Sequence, residues 1–248
     1  MKATRIPLLK WAAPLMVLAI APSALAEVGD SLGVEDVSCL VEPSRLATLS
    51  SQLPGVVDAI QVAPGDRVDL GDTLFALKRE VEQASRSLES ARAEYASRRL
   101  QRNQRMIERG MLSESEVDEL NTDLRLAQLQ GELASAQLDQ RTSQAPFSGV
   151  ITQQHAEEGE YIDATPVLEL AQLNPLQIEA VLPLAAYGSV TVGDVFDVHL
   201  ESPVEQLASA KVTRVDNIID ASSGTFIIQL RLDNPDDEIP AGINCRLS

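Results

Sequence analysis

Aromatic residues make up only 3% of this 248-residue chain, too few to line the kind of cavity that holds a sizeable apolar small molecule. Histidine and cysteine occur twice each, which all but excludes a dedicated zinc site built from protein His and Cys ligands. Cations are scarce beside acids, 20 Lys and Arg against 37 Asp and Glu, for a net charge of −17. A surface of that sign repels phosphate backbones, so nucleic acid is excluded as a partner. No apolar run reaches the ~20 residues of a membrane-spanning helix. What remains is ordinary: 44% hydrophobic residues, with 13 Gly and 13 Pro, enough for a core and for one to three modest domains.

The N-terminus reads as a secretory leader. Lys2, Arg5 and Lys10 precede an apolar stretch at residues 11–20, and Ala24-Leu25-Ala26 forms a small-residue cleavage site. Cleavage after Ala26 is expected, with an uncleaved anchor as the alternative. With cleavage there, Glu27 at the next position would close the lipoprotein route. The exported chain would carry Cys39 and Cys245 into an oxidising compartment, where a pair can persist as a disulfide.

Laid against itself at an offset of 94, the chain repeats. Residues 54–77 read PGVVDAIQVAPGDRVDLGDTLFAL and residues 148–171 read SGVITQQHAEEGEYIDATPVLELA. Gly55 meets Gly149, Val57 meets Ile151, Gly65 meets Gly159 and Leu74 meets Leu168, without a gap. Each copy alternates apolar and polar residues between Gly-centred turns, as half-buried strands do. Neither copy alone can bury its apolar face, so the two are expected to close on each other.

Between the copies the period changes to that of a helix. Val81, Ala84, Leu88, Ala91 and Tyr95 recur at heptad spacing, as the packing face of a coiled coil does. Val117, Leu120, Leu124, Ala127, Gly131, Ala134 and Leu138 continue it on a second helix. Gly110 stops the first helix, and Ser113 with Glu116 has the form of a capping box. So short a connection demands an antiparallel hairpin, near neutral overall, with Arg98, Arg99, Arg102, Arg105 and Arg109 on one arm and Glu114, Glu116, Asp118, Glu119 and Asp123 on the other. After Asn174, LQIEAVLP, DVFDVHLE, SAKVTRVDNII and TFIIQLRL are strand-like runs that predict a small antiparallel barrel. Residues 34–41 are expected to join it, and the chain is expected to end there.

Catalytic constellations are hard to assemble. His155 and His199 have no Ser or Cys in a nucleophile context. Asp236-Asp237-Glu238 reads as a solvated acidic turn, since the alternate-position acids and central Gly of a calcium loop are missing. No phosphate-cradling glycine loop is present. The chain is read as a non-enzyme without cofactor or metal.

The paired half-motifs with Gly-Asp turns resemble the biotinyl/lipoyl carrier domain, but the place of its lysine-bearing hairpin is taken by the helices. Lys78 reads as a helix-entry residue. The full combination resembles the periplasmic adaptor subunits, or membrane fusion proteins, of Gram-negative efflux and secretion systems. The stretches that carry the likeness are GVVDAIQVAPGDRVDLGDTLFAL, APFSGVI and DNPDDEIPAG. The resemblance implies a mainly β fold with an inserted α-helical coiled-coil hairpin, a split lipoyl-like (barrel-sandwich hybrid) module and a small antiparallel β-barrel. Its parts would be a signal peptide at 1–26, a strand joining the barrel at 27–47, lipoyl-like halves at 48–78 and 144–173, the hairpin at 79–143 and the barrel at 174–248. It also implies a periplasmic bridge from an inner-membrane transporter, of the resistance-nodulation-division (RND) class by preference, to an outer-membrane channel, with several copies in a ring. Many pump-linked adaptors add a membrane-proximal domain that is not expected here.

In that family the hairpin tip carries an Arg, a Leu four residues on and a Ser seven beyond. RNQRMIERGMLS places Arg102, Met106 and Ser113 at those spacings, with Met in place of Leu, and the resemblance makes them the channel-docking tip. Each has an internal alternative: Arg102 paired with Asp118 or Glu119, Met106 packed inside the hairpin, Ser113 acting as a cap. The family architecture also brings the strands of Cys39 and Cys245 into or beside the barrel. There the two either meet as a disulfide or stay thiols on opposite walls, and strand order decides. Two other classes remain open, a lysine-borne cofactor carrier and a stand-alone periplasmic coiled-coil scaffold.

Overall fold

The computed structural model describes residues 37–248. The expected leader at 1–26, its cleavage site and the start of the strand expected at 34 lie outside the described residues.

Two long strands organise everything else. The first, β1 (Val37–Ser50), is followed by three short strands, β2 (Gly55–Ile60), β3 (Arg67–Val68) and β4 (Thr73–Leu77). Helices α1 (Glu80–Glu108) and α2 (Glu114–Asp139) come next, then β5 (Thr142–Gln144), β6 (Gly149–Gln154) and β7 (Tyr161–Ile162). The second long strand is β8 (Pro166–Pro183), and β9 (Val195–Leu200), β10 (Leu207–Val215), β11 (Thr225–Leu232) and β12 (Asn244–Leu247) complete the chain.

β1 and β8 are antiparallel neighbours over almost their whole length, with a register shift between Pro43 and Arg45. On one side of that shift they close a six-stranded barrel in the order β1-β12-β9-β10-β11-β8. Its core includes Val41, Ile178, Leu182, Val198, Phe226, Ile228 and Leu230. On the other side the same two strands enter the module built from the repeats. The strand expected at 34–41 to join the barrel does so from Val37 onward, and β1 also runs on into the repeat module.

The two repeat copies pair by exchange. β2 of the first copy lies against β7 of the second, with Gly55 opposite Ile162, while β3 lies against β6, with Val68 opposite Gly149. The bonds outside the ladders obey the same two-fold relation. Val57 N donates to Glu160 O at 2.8 Å, as Ile151 N does to Asp66 O at 3.0 Å. Gly65 N donates to Ile151 O and Gly159 N to Val57 O, at 2.8 and 2.9 Å. Gly65 and Gly159 hold φ of 97° and 85°, a region that costs side-chain-bearing residues strain. A shared core of Val57, Val68, Leu74, Phe75, Ile151, Ile162 and Leu168 results.

The hairpin differs from expectation in one respect. On α2 the heptad positions Val117, Leu120, Leu124, Ala127, Gly131, Ala134 and Leu138 do turn inward. On α1, Val81, Ala84, Leu88, Ala91 and Tyr95 all face solvent. The seam of α1 is instead Glu82, Glu89, Ala93, Ala96, Leu100, Asn103 and Ile107. Small residues at mid-seam, Ala93 and Ala96 on one arm with Ala127 and Gly131 on the other, fit closely packed helices whose narrow contact excludes the larger side chains.

Candidate functional site

The far end of the hairpin is a compact turn with both helix ends satisfied. α1 stops in a Schellman arrangement: Gly110, at φ 64°, donates from its N–H to Ile107 O at 3.0 Å, and Met111 N donates to Met106 O at 2.9 Å. Three residues on, Ser113 opens α2 with a complete capping box. Its Oγ accepts from Glu116 N at 3.3 Å, and its own N–H donates to Glu116 Oε2 at 2.8 Å. The Ser113 backbone N–H, then the hydroxyl, hold the Glu116 carboxyl below its ordinary range. Arg105 in the last turn of α1 and Glu114 and Glu116 in the first turn of α2 match the helix dipoles. The turn is therefore fixed in shape before any partner arrives.

Arg102 and Met106, four apart on α1, share one face of the helix. Arg102 is exposed and makes no ion pair with Asp118 or Glu119; the cross-hairpin bridge is Arg99 Nη1 to Asp123 Oδ2, at 2.7 Å. Met106 is 42% exposed rather than packed inside. Ser113 lies beyond the turn as the cap of α2. The sequence reading missed Met111, 65% exposed. It stands at the position after the turn glycine that a Schellman motif sets beside the residue four before that glycine, here Met106. An apolar residue at both places was the available signal. Together the three side chains offer a guanidinium beside two flexible thioethers, suited to carboxylates or carbonyls and to an adaptable apolar groove.

At its other end the hairpin is clamped to the β body. Arg141 Nη2 meets Glu82 Oε1 at 2.7 Å, and Arg141 Nη1 donates to Pro54 O at 2.9 Å. Lys78 is exposed between β4 and α1, with its N–H donating to Val56 O.

The remaining candidates lie apart from one another. His155 Nε2 stands 3.2 Å from Glu169 Oε1, and His199 is exposed on β9. Asp237 takes Arg67 at 3.0 Å, tying the barrel loop to the repeat module. Cys39 on β1 is directly opposite Cys245 on β12, and the two are joined as a disulfide. Among the described residues, no three His, Cys, Asp or Glu cluster as metal ligands, and no helix is long and apolar enough to cross a membrane.

Comparison with known proteins fits this anatomy. The chain is 28% identical over 216 residues to nodulation protein NolF of Rhizobium meliloti, covering 81% of this chain and 59% of that protein. It is 26% identical over 221 residues to multidrug resistance protein MdtA of Yersinia pestis, covering 78% and 50%. The chain thus spans about half the length of the curated relatives it matches. In fold it is similar to a MacA–MexA chimera that carries the Pseudomonas aeruginosa MexA α-hairpin domain. The TM-score is 0.74 at 17% identity, over 86% of this chain and 80% of that one. Residues 45–171, the exchanged repeats with the hairpin between them, match the family model for the CzcB-like barrel-sandwich hybrid domain, and the chain belongs to that family.

Proposed function

We propose that this protein is a periplasmic adaptor of a tripartite efflux or secretion system. It would bridge an inner-membrane transporter, of the RND class by preference, to an outer-membrane channel, and it would act without catalysis or a cofactor. A β body rigid enough to dock and a rod capped for contact are the parts such a bridge needs. The name of one relative, a multidrug resistance protein, agrees with an export role. An export leader at 1–26 would place the chain in the periplasm.

The observation that carries the reading is the tip. A turn closed by a Schellman motif and a capping box exposes Arg102 and Met106 with no internal task for either. Arg102 would donate to carboxylates or carbonyls on the channel, Met106 would fill a groove between its helices, and Ser113 would hold the turn. Arg102→Asp and Met106→Asp should fold, as circular dichroism checks, yet lose export and tip-to-channel cross-linking. Normal export by folded, correctly localised variants would refute the assignment.

A further inference from the structure

Methionine is concentrated at a single place in this chain. Of its four methionines, Met1 and Met16 fall in the expected leader at 1–26, and the other two are Met106 and Met111. Both stand at the hairpin tip, 42% and 65% exposed. Neither apolar core contains methionine, although Leu, Ile, Val and Phe recur through both and Met replaces Leu in a core at small cost. Apolar bulk alone does not require sulfur at the tip, since Leu would supply it. What Met adds is a flexible thioether, and a thioether takes up oxygen.

No other sulfur competes. Cys39 and Cys245 are buried and joined to each other, and there is no free cysteine among the described residues. Oxidation follows exposure, so an oxidant meeting the folded chain meets the tip first. The two side chains also lie outside the seam of α1, whose nearest members are Asn103 and Ile107. The turn between them is closed by backbone bonds, Gly110 N to Ile107 O and Met111 N to Met106 O. An oxygen added to either sulfur therefore breaks no packing and no cap, and its effect falls on what the tip touches.

We propose that Met106 and Met111 form a paired oxidation site, converted to methionine sulfoxide by hydrogen peroxide, and that the conversion releases the tip from an apolar groove on its partner. The site is read from the hairpin alone, whereas its consequence for docking rests on the adaptor reading. In the step, the sulfur lone pair attacks one peroxide oxygen, and an S–O bond forms as the O–O bond breaks. The proton of the transferred hydroxyl joins the departing hydroxide as water. Sulfur gives up two electrons and the peroxide accepts them. The product is polar and chiral where the thioether was apolar, so it no longer suits a groove between helices. Its oxygen accepts hydrogen bonds, and Arg102 stands four residues before Met106 on the same face. The guanidinium then finds an acceptor within the tip in place of one on the partner. Sulfoxide reductases reverse the change, which makes the tip a switch rather than a casualty.

Mass spectrometry of the purified protein in millimolar hydrogen peroxide tests the site. One oxygen should be taken up at Met106 and one at Met111, at rates within several-fold of that of free N-acetylmethionine amide. Circular dichroism and the urea midpoint should not change, and the two methionine sulfoxide reductases should remove both oxygens. Uptake at one methionine or none, or uptake only on unfolding, overturns the site. Tip-to-channel cross-linking on outer-membrane vesicles, before oxidation, after it and after repair, tests the consequence. The signal should fall several-fold on oxidation and return on repair. In Met106→Leu/Met111→Leu the ratio of treated to untreated signal should stay near one. A wild-type signal indifferent to the two oxygens overturns the consequence. If untreated protein gives no cross-link, the docking tip is refuted while the mass still decides the oxidation site, so the two proposals fail separately.

Discussion

The β body and the helical rod use apolar residues in opposite ways. In the body the large side chains are enclosed: Phe75, Phe226, Leu168, Ile178 and Ile228 are all within 2% of complete burial. Along both helices the buried residues are Ala96, Leu120 and Ala134 alone, while Val81, Leu88, Tyr95 and Leu133 lie in solvent. Burial is the dominant favourable contribution to folding, so stability belongs to the body. The rod is held by its clamp, its caps and a narrow alanine-rich seam, and its larger apolar side chains are mostly exposed. Substitutions in the body should therefore be read out as stability, and those in the rod as association.

The largest expected effect is in the barrel. The Cys39–Cys245 link closes a loop of 206 residues in sequence separation, and the chain-entropy model gives such a loop about 5 kcal/mol before strain. Cys39→Ala/Cys245→Ala should unfold at markedly lower denaturant, with a loss of about 3–5 kcal/mol. Thiol counting on unreduced, denatured wild-type protein should find no free thiol. Two free thiols would remove the link and its share of the body's advantage.

Second comes a glycine of the repeat. A Cβ at Gly149 would sit 2.3 Å from the carbonyl oxygen of Ala171, in the neighbouring strand. Backbone cannot yield as a side chain does, so Gly149→Ala should cost about 2–4 kcal/mol in a urea titration. Its equivalent, Gly55, meets only the side chains of Arg141 and Leu77, at 2.8 and 3.0 Å. Gly55→Ala should be milder and should act on the clamp at the base of the rod. Equal losses at the two sites would mean that the copies share one constraint.

How much of this could be read in advance depended on whether the signal was local. The repeat at an offset of 94 was legible because turn glycines and alternating strands are local features. The exchange of strands between copies was not, since each strand satisfies the pattern whichever partner it takes. Pro43 and Pro175 each sit within a long strand where β1 and β8 pass from one module to the other, and nothing local to either residue marks that continuity. On α1 the heptad spacing was real but marked the outward surface; spacing alone cannot tell an inward face from an outward one. The capping box and the turn glycine were legible because side chain and backbone meet within four residues. Pairing of the cysteines hung on strand order, a long-range property.

A third effect lies where the body closes. Asn234 is 3% exposed and donates from Nδ2 to Leu173 O at 3.1 Å and Ile239 O at 2.9 Å, while its Oδ1 accepts from Ile239 N at 3.1 Å. It ties the loop before β12 to the point where β8 leaves the repeats. Asn234→Ala strands buried polar partners and should cost about 1–3 kcal/mol, seen as a shifted urea midpoint with an unchanged slope. An unchanged midpoint would show that water replaces the side chain there.

The smallest expected effect tests the rod. Ser113→Ala removes the side-chain half of the capping box and should weaken the start of α2 by about 1 kcal/mol, against little for Ser113→Asn, which still caps. Because the core is elsewhere, the body's urea midpoint should stay put while helical ellipticity falls slightly. The pH dependence sharpens this. Hydrogen bonds from the Ser113 backbone N–H and hydroxyl hold the Glu116 carboxyl below its ordinary range, so that contribution is full above the unfolded carboxyl's range and is lost as pH falls through the folded value. Wild type and Ser113→Ala should therefore differ in ellipticity at neutral pH and converge on acidification. A gap that persists unchanged into acid would mean that the hydroxyl caps without help from Glu116. A fall in the body's own midpoint would mean that rod and body unfold as one unit, and the division drawn between them would fail.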